Sequence, residues 1–312
     1  MKPETPYDIL VAGEINPDLI LTGNVVPEFG QVEKIVDTAT LAIGSSSAIF
    51  ACGAARLGLR VGFIGVCGDD VFGRFMLAEM QKRNVEVSHV MVRKDGQTGL
   101  SVILNQPSAQ GDRAILTHPG LIPELRASDV TDGLLRQARH LHVASYFLQT
   151  KLQPDLPSLF QRARSLGLTT SLDTNYDPSG AWRGFDDLLA VTNVFLPNEA
   201  EAKSLTGAGN VEEAASRLTS KVEAAAIKLG KDGALGISRS QNVRVESIPV
   251  NVVDTVGAGD SFDAGFIYGY LRHWDLEKSL RLACVCGALS TQQAGGTNGQ
   301  PTLEEAMKHV SG

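Results

Sequence analysis

Residues Asp254–Phe262 read DTVGAGDSF, after the extended-looking VRVESIPVNVV (243–253) and before the amphipathic FDAGFIYGYLRH (262–273). A chain that passes through small residues straight into a helix leaves backbone N–H groups without intrahelical partners at the helix start. With the positive end of the helix dipole, the N–H groups at Gly257, Ala258 and Gly259 form a seat for a phosphate or a developing negative charge. One turn away, Asp260 adds a carboxylate that can accept a proton. Phosphoryl transfer to a hydroxyl needs that combination, because it rests on positioning and charge stabilisation. A plainer account also fits: the glycines make a turn and Asp260 caps the helix. Spacing alone does not choose between the two.

Outward from this segment, short apolar runs alternate with amphipathic stretches. Tyr7–Gly13, Val61–Val66, Leu141–Ser145, Thr169–Asp173, Val194–Pro197 and Ala224–Leu229 read as buried strands. Ser46–Leu57, Val71–Arg83, Asp155–Leu166, Glu199–Leu205 and Val211–Ser220 read as helices. This alternation predicts an α/β fold, a doubly wound and mostly parallel sheet with helices on both faces and ligands beyond the carboxyl ends of its strands. Two regions break the pattern, at about 19–43 and 98–117, with LILTG, QVEKIVD, GLSVILN and RAILT and no helix between them. They predict a small antiparallel β sheet that projects over the ligand end as a lid. Ala258–His273, Leu276–Gln293 and Leu303–Val310 make the last third helical. Without repeats or low-complexity linkers, residues 1–312 read as a single domain with that lid.

Composition narrows the function classes. The chain is 43% hydrophobic and 20% charged with a net charge of -7, and it carries no basic run of the kind nucleic-acid binders use. The polar Met1–Asp8 does not read as a secretory signal, and no window approaches the roughly twenty apolar residues of a membrane span. Cys52, Cys67, Cys284 and Cys286 lie in apolar segments and match no zinc spacing, so they read as reduced core residues. A cytoplasmic location, with no nucleic-acid or membrane partner, is the resulting expectation. Gly13-Glu-Ile-Asn after the first strand lacks the glycine spacing of a dinucleotide site, and no P-loop occurs.

At every position DTVGAGDSF resembles the C-terminal signature of the PfkB carbohydrate kinases, relatives of ribokinase, fructokinase and adenosine kinase. The resemblance implies a ribokinase-like fold and transfer of a phosphoryl group from ATP, with Mg2+, to a small-molecule hydroxyl. It implies Asp260 as catalytic base, the Gly257–Asp260 backbone as anion hole, and Thr255 beside the nucleotide phosphates. GEINPD (13–18), GSSSAIFACGAARLG (44–58) and GVCGDDVFG (65–73) follow in family order. They imply substrate contacts from Asn16, Asp18, Gly44 and Ser45. PNEAE (197–201) resembles the Asn-x-x-Glu motif, implying that Asn198 serves the phosphates and that Glu201 acts on Mg2+ indirectly. KLGKDG (228–233) implies ATP contacts at Lys228, Gly230 and Gly233. AGGTNGQP (294–301) lies where some members bind a monovalent cation such as K+, and some pair as homodimers through the lid.

The chain also departs from the pattern. Relatives such as ribokinase carry a second glycine where Ser45 stands and a sugar-binding asparagine where Ile49 stands. Isoleucine cannot hydrogen-bond a sugar, so either the substrate differs or neighbours such as Ser45, Ser46 and Ser47 take over, unless those serines only cap a helix. DTNYD (173–177) resembles hexose and 2-keto-3-deoxygluconate kinases, with Asn175 near substrate or simply closing an Asx turn. Arg113 reaches an anionic or hydroxyl-rich substrate from the lid, or is a solvated edge charge. His140 and His142 share a strand face without a metal partner and read as structural. Three functions stay open. The first is a kinase of a sugar or sugar-acid. The second is a nucleoside kinase stacking a base on Phe29, Tyr146 or Phe147. The third is a binding or regulatory protein that has lost the chemistry.

Overall fold

A parallel strand covered on both faces needs apolar side chains at every position, and Ile9–Ala12 has all four residues at 0% exposure. Ile9 and Val11 enter the core on one face of the sheet, Leu10 and Ala12 the core on the other. The computed structural model describes residues 5–106, 113–182 and 184–310.

The chain starts the central sheet with β1 (Ile9–Ala12), leaves it for β2 (Pro17–Thr22) and β3 (Thr38–Ile43), and returns through α1 (Ser46–Arg56) to β4 (Val61–Ile64). Then come β5 (Val66–Gly68), α2 (Val71–Lys82), β6 (Val85–Glu86), β7 (Met91–Arg93), β8 (Leu100–Asn105) and β9 (Arg113–His118). The short α3 (Asp132–Leu135) leads into β10 (His140–Val143), α4 (Leu156–Ser165), β11 (Thr169–Leu172), α5 (Asp186–Ala190) and β12 (Val194–Phe195). They are followed by α6 (Glu199–Thr206), α7 (Val211–Thr219), β13 (Ala224–Lys228), β14 (Ala234–Ser238) and β15 (Asn242–Val245). Three helices close the chain: α8 (Ala258–Leu271), α9 (Leu276–Ser290) and α10 (Leu303–Val310). No helix among the described residues is long and apolar enough to cross a membrane.

The central sheet runs β15-β14-β13-β12-β11-β10-β1-β4-β6. It is parallel from β6 to β13, and β14 and β15 pair antiparallel at one edge. This is the doubly wound sheet expected. The winding reverses between β1 and β10, so the carboxyl ends of those two strands flank the switch point where such sheets take their ligands. Phe50 of α1 and Phe266 of α8 fill one core, and Phe160 of α4 fills the other.

The lid is a four-stranded sheet, β3-β2-β8-β9, with antiparallel outer ladders and a parallel β2–β8 pair in the middle. The parallel pair follows from the long excursion through the central sheet between β2 and β8, which acts as a crossover. QVEKIVD does not form the expected strand. Residues 32–36 are irregular, and β3 is the next segment, TATLAI. Neither alternating face of QVEKIVD is free of charge, so it has no apolar side to bury. Part of the expected lid, residues 107–112, lies outside the described residues.

The four cysteines are free and buried, and burial pushes the Cys52 thiol up to about 12 and Cys67 to about 11. His140 and His142 are structural. Both bond the Ser171 hydroxyl at 2.7 Å, and His142 stacks on Phe50 with centroids 3.6 Å apart. His142 Nε2 has no partner, and burial drives the imidazole down to about 3. A histidine kept neutral in the fold lowers stability as pH falls below its unfolded value near 6.5 and towards its folded value. His142→Asn keeps the bond to Ser171 and removes the titration. Urea unfolding should therefore show a pH slope shallower than native by up to about 1.4 kcal/mol per unit between pH 6 and 4. Equal slopes would mean that His142 is not held neutral.

Candidate active site

The carboxyl end of β1 delivers Glu14 to the switch point, where its buried carboxylate organises three serines. It accepts from Ser45 Oγ at 3.0 Å, Ser47 N at 3.2 Å, Ser47 Oγ at 2.5 Å and Ser145 Oγ at 2.9 Å. Ser45 is also the N-cap of α1, accepting from Ala48 N at 3.0 Å. Ser45 thus caps the helix and also lines the pocket above Glu14. Gly13 makes the approach of Ser47 possible, since a Cβ there would stand 2.0 Å from Ser47 Oγ.

Above Glu14 lies a pocket of about 220 Å³, lined by Asn16, Asp18, Ser45, Ile49, Arg113, Asn175 and Asp260 among others. The lid covers it. Along the inner face, Asp18, Ser101 and Thr117 form a polar row across β2, β8 and β9. Asn16 donates to Ser101 Oγ at 3.2 Å. From β9, Arg113 reaches across to Thr255 Oγ1 at 3.5 Å. Burial pushes Asp18 up to about 7; Arg113 opposes this, and Asp254 and Glu14 reinforce it. Gly44 does not line the pocket. Its role is space, because a Cβ there would meet Asp18 Oδ1 at 2.2 Å. Asn175, at φ 54°, turns its amide oxygen to Ser46 and Ser145 and its amide nitrogen to Asp173. Ile49 does face the pocket.

A second groove, of about 580 Å³, opens on the other side of Asp260. Ile248, Pro249, Val250, Val252 and Phe262 supply apolar walls, while Lys228, Gly230, Gly233, Thr255, Ala258 and Gly259 supply the polar end. Gly257 caps α8 at φ 73°, and a Cβ there would lie 2.7 Å from Gly296. Asp254 braces this turn by accepting from Val256 N at 3.0 Å and Gly295 N at 2.9 Å. Ala258, Gly259 and Asp260 are the first three residues of α8; the Ala258 N–H turns back to Thr255 O at 3.3 Å, and those of Gly259 and Asp260 precede the helical ladder. Asp260 is 9% exposed. Burial pushes its carboxyl up to about 8, reinforced by Asp173 and Glu14 and opposed by Lys228 and a hydrogen bond from Ser46.

Lys228, at the end of β13, is not a solvated stem. Its Nζ donates to Asp173 Oδ2 at 2.9 Å and to both Asp263 oxygens at 3.1 Å. Burial pulls the ammonium down, but Asp173, Asp263 and Glu201 outweigh it and keep it charged. Burial likewise pushes Asp173 up, yet Lys228 and hydrogen bonds from Asp263 and Asn175 hold it below the usual carboxylate range. Asp263 goes the other way, well above that range, by burial and the neighbouring Asp173 and Asp260. Glu201 is buried too, not an ordinary surface carboxylate. It closes a capping box on α6, accepting from Asn198 N at 2.9 Å and Nδ2 at 2.6 Å. Burial and Asp173 push it up to about 7. Asn198 lines neither cavity; its side chain serves the cap.

Sequence reasoning passed over the hub role of Glu14 and missed Asp263 altogether. A signal existed for Asp263: it is a charge in the apolar run FDAGFIYGYL, and a buried charge requires a partner. The groove walls at Ile248–Val252 had none, because an irregular apolar segment has no period.

A buried carboxyl lining a small pocket, beside a groove floored by a glycine-rich helix start, is the arrangement a phosphotransferase site needs. The description "pfkB family carbohydrate kinase" matches residues 8–303, and the chain belongs to that family. It is a carbohydrate kinase, transferring a phosphoryl group to an alcohol. It is 31% identical to an uncharacterized sugar kinase of Archaeoglobus fulgidus over 80% of this chain and 98% of that protein. It is 30% identical to the 2-dehydro-3-deoxygluconokinase of Bacillus subtilis, covering 91% of each. The crystal structure of a putative ribokinase II from E. coli with ATP and Mg2+ superposes at a TM-score of 0.83 and 23% identity, over 98% of this chain and 99% of that one.

Glu14→Ala strips the acceptor from buried serine hydroxyls, so urea unfolding should register a loss of at least about 2 kcal/mol. A loss under about 0.5 kcal/mol would mean that the serines find other partners.

Proposed function

We propose that this kinase transfers the γ-phosphoryl group of ATP to a hydroxyl of a small sugar or sugar-acid, with Asp260 as general base. The observation that carries this reading is the place of Asp260, which lines the acceptor pocket while Ala258 and Gly259 line the groove. Asp18, Asn16 and Ser45 offer acceptors and donors to sugar hydroxyls, and Asn175 orders the serines beside them. Arg113 meets the carboxylate of a sugar-acid or a further hydroxyl, a role the name of the Bacillus subtilis relative supports. Asp260 takes the hydroxyl proton as the alkoxide oxygen bonds to the γ-phosphorus and the bond to ADP breaks. The Gly257–Asp260 N–H groups hold the phosphoryl oxygens. Thr255, Gly230 and Gly233 flank the phosphates, and the apolar walls take the base.

The ATP and Mg2+ of the E. coli neighbour support the same pair here. Glu201 fits a cation: a buried carboxylate pushed up to about 7 by burial and by Asp173 gains from a nearby positive charge. It would hold Mg2+ indirectly, and the ion would neutralise β- and γ-phosphate oxygens. A monovalent cation such as K+ belongs to this reading at the 294–301 loop, which Asp254 ties to the α8 cap.

The acceptor pocket has no aromatic side chain among its described lining residues. Tyr146 and Phe147 pack on Phe185, and Phe29 is 98% exposed away from the pocket, so stacking of a nucleoside base has no support. The intact Asp260 and cradle argue against a regulator without chemistry.

A homodimer through the lid completes the reading. On the outer face Leu41, Leu19, Val102 and Leu116 form a row across β3, β2, β8 and β9. Leu116 is 61% exposed and Leu41 37%. Leu116→Glu should turn a dimer into a monomer in light scattering. A native monomer would exclude this partner.

The kinase reading is tested by ADP release with MgATP against ribose, fructose, 2-dehydro-3-deoxygluconate and adenosine. Asp260→Asn should lower kcat about 10²- to 10⁴-fold without unfolding the protein, and full activity would remove Asp260 from the mechanism. Because the base works ionised, kcat/KM should fall as pH drops below about 8. A profile flat from pH 8 to 6 would contradict that assignment.

A further inference from the structure

Neither the acceptor pocket nor the nucleotide groove requires an ammonium clamped by two aspartates, yet Lys228 stands in that state at the edge of the groove. The Cβ that Gly259 lacks would lie 3.6 Å from Lys228 Nζ. The ammonium therefore packs directly against the turn that carries Asp260. Its two clamps come from different directions. Asp263 sits on α8 itself, three residues past Asp260, and Asp173 extends from the end of β11. Three chain segments, the ends of β11 and β13 and the start of α8, meet at this one cation.

We propose that Lys228 is a positioning residue for phosphoryl transfer: held by Asp173 and Asp263, its ammonium fixes the first turn of α8 and keeps Asp260 able to accept the acceptor's proton. This rests on the reading of Asp260 as base. Carboxylate oxygens of Asp173, Asp260 and Asp263 lie within 4.8 Å of one another. Like charges so close cannot all ionise without a cation among them. The groups acting on Asp260 are Glu14 from the end of β1, Ser46 from α1, Asp173 from the end of β11, Asp263 on its own helix and Lys228. Of these, Lys228 is the one cation among the described residues. Its loss leaves Asp260 facing carboxylates alone, and a protonated Asp260 cannot take a proton. Lys228 also lines the groove, so nucleotide affinity is the readout that separates positioning from nucleotide binding.

The test uses the full chain with the acceptor of highest kcat/KM among the four compounds above. Four proteins are compared: native, Asp260→Asn, Lys228→Met, and Lys228→Met/Asp263→Asn. The double variant leaves Asp173 with an amide donor, so the cluster loses its cation without leaving two unpaired carboxylates. Rates are counted per folded molecule from thermal melts, and binding of a fluorescent ATP analogue is measured directly. In the double variant kcat should fall about 10- to 100-fold while the analogue's Kd stays within about threefold. The acid limb of the pH profile should move to higher pH, because Asp260 loses its cation.

A kcat per folded molecule within about threefold of native, with an unmoved limb, overturns the proposal and leaves the trio a stability device. A Kd raised more than about tenfold with kcat kept makes Lys228 a nucleotide ligand, which also overturns it. If Asp260→Asn itself stays active, the failure lies with the base assignment and not with Lys228 alone.

Discussion

The charge balance at the carboxyl edge of the sheet constrains everything else in the site. Asp173, Asp260, Asp263, Glu201 and Lys228 are all withdrawn from water, and desolvating each ion costs several kcal/mol unless partners compensate. The compensation is uneven by design of the fold. Asp173 and Lys228 stay charged against each other, whereas Asp263, Glu201 and Asp260 are pushed towards their protonated forms. Such a cluster does little for stability, because an apolar core of the same volume serves as well. Under the proposed mechanism its value is chemical: a carboxyl poised near neutrality is a more effective base than one at its ordinary value.

The doubly wound topology brings those charges together. The ends of β11, β12 and β13 lie side by side, so Asp173, the α6 start and Lys228 follow from strand order alone. Across the switch point β1 contributes Glu14, and the lid closes over it with Asp18 and Arg113. Asp260 then enters from α8, which packs along α9 and α1 rather than within the sheet. One helix start thereby borders both cavities, with Asp260 lining the pocket and Ala258 and Gly259 lining the groove.

Much of this was legible in the chain. The unbroken apolar run at β1, repeated at β4 and over Ala224–Ile227 of β13, specifies strands buried on both faces. DTVGAGDSF carried the helix start and the carboxyl proposed as its base. Legibility failed where a residue's meaning depends on a distant partner. Lys228 reads as a solvated stem until Asp173 and Asp263 come beside it from 55 and 35 residues away. Glu201 looks like a surface carboxylate until the fold buries it. Asn198, by contrast, was read as a phosphate contact and turns out to close its own helix. QVEKIVD shows the same limit for the lid: β-branched residues suggested a strand, and only the pairing of β2 with TATLAI shows where the ladder runs.

The central claim is that the two cavities meet at Asp260, with the phosphoryl group on the α8 cradle and the acceptor hydroxyl on the carboxylate. A crystal structure with Mg2+, a non-hydrolysable ATP analogue and the acceptor tests it most directly. The γ-phosphoryl oxygens should lie about 3 Å from the Gly259 and Asp260 N–H groups, with an acceptor hydroxyl at similar distance from the Asp260 carboxylate. A nucleotide bound outside the Ile248–Val252 groove, or a hydroxyl held against another base, would contradict the account.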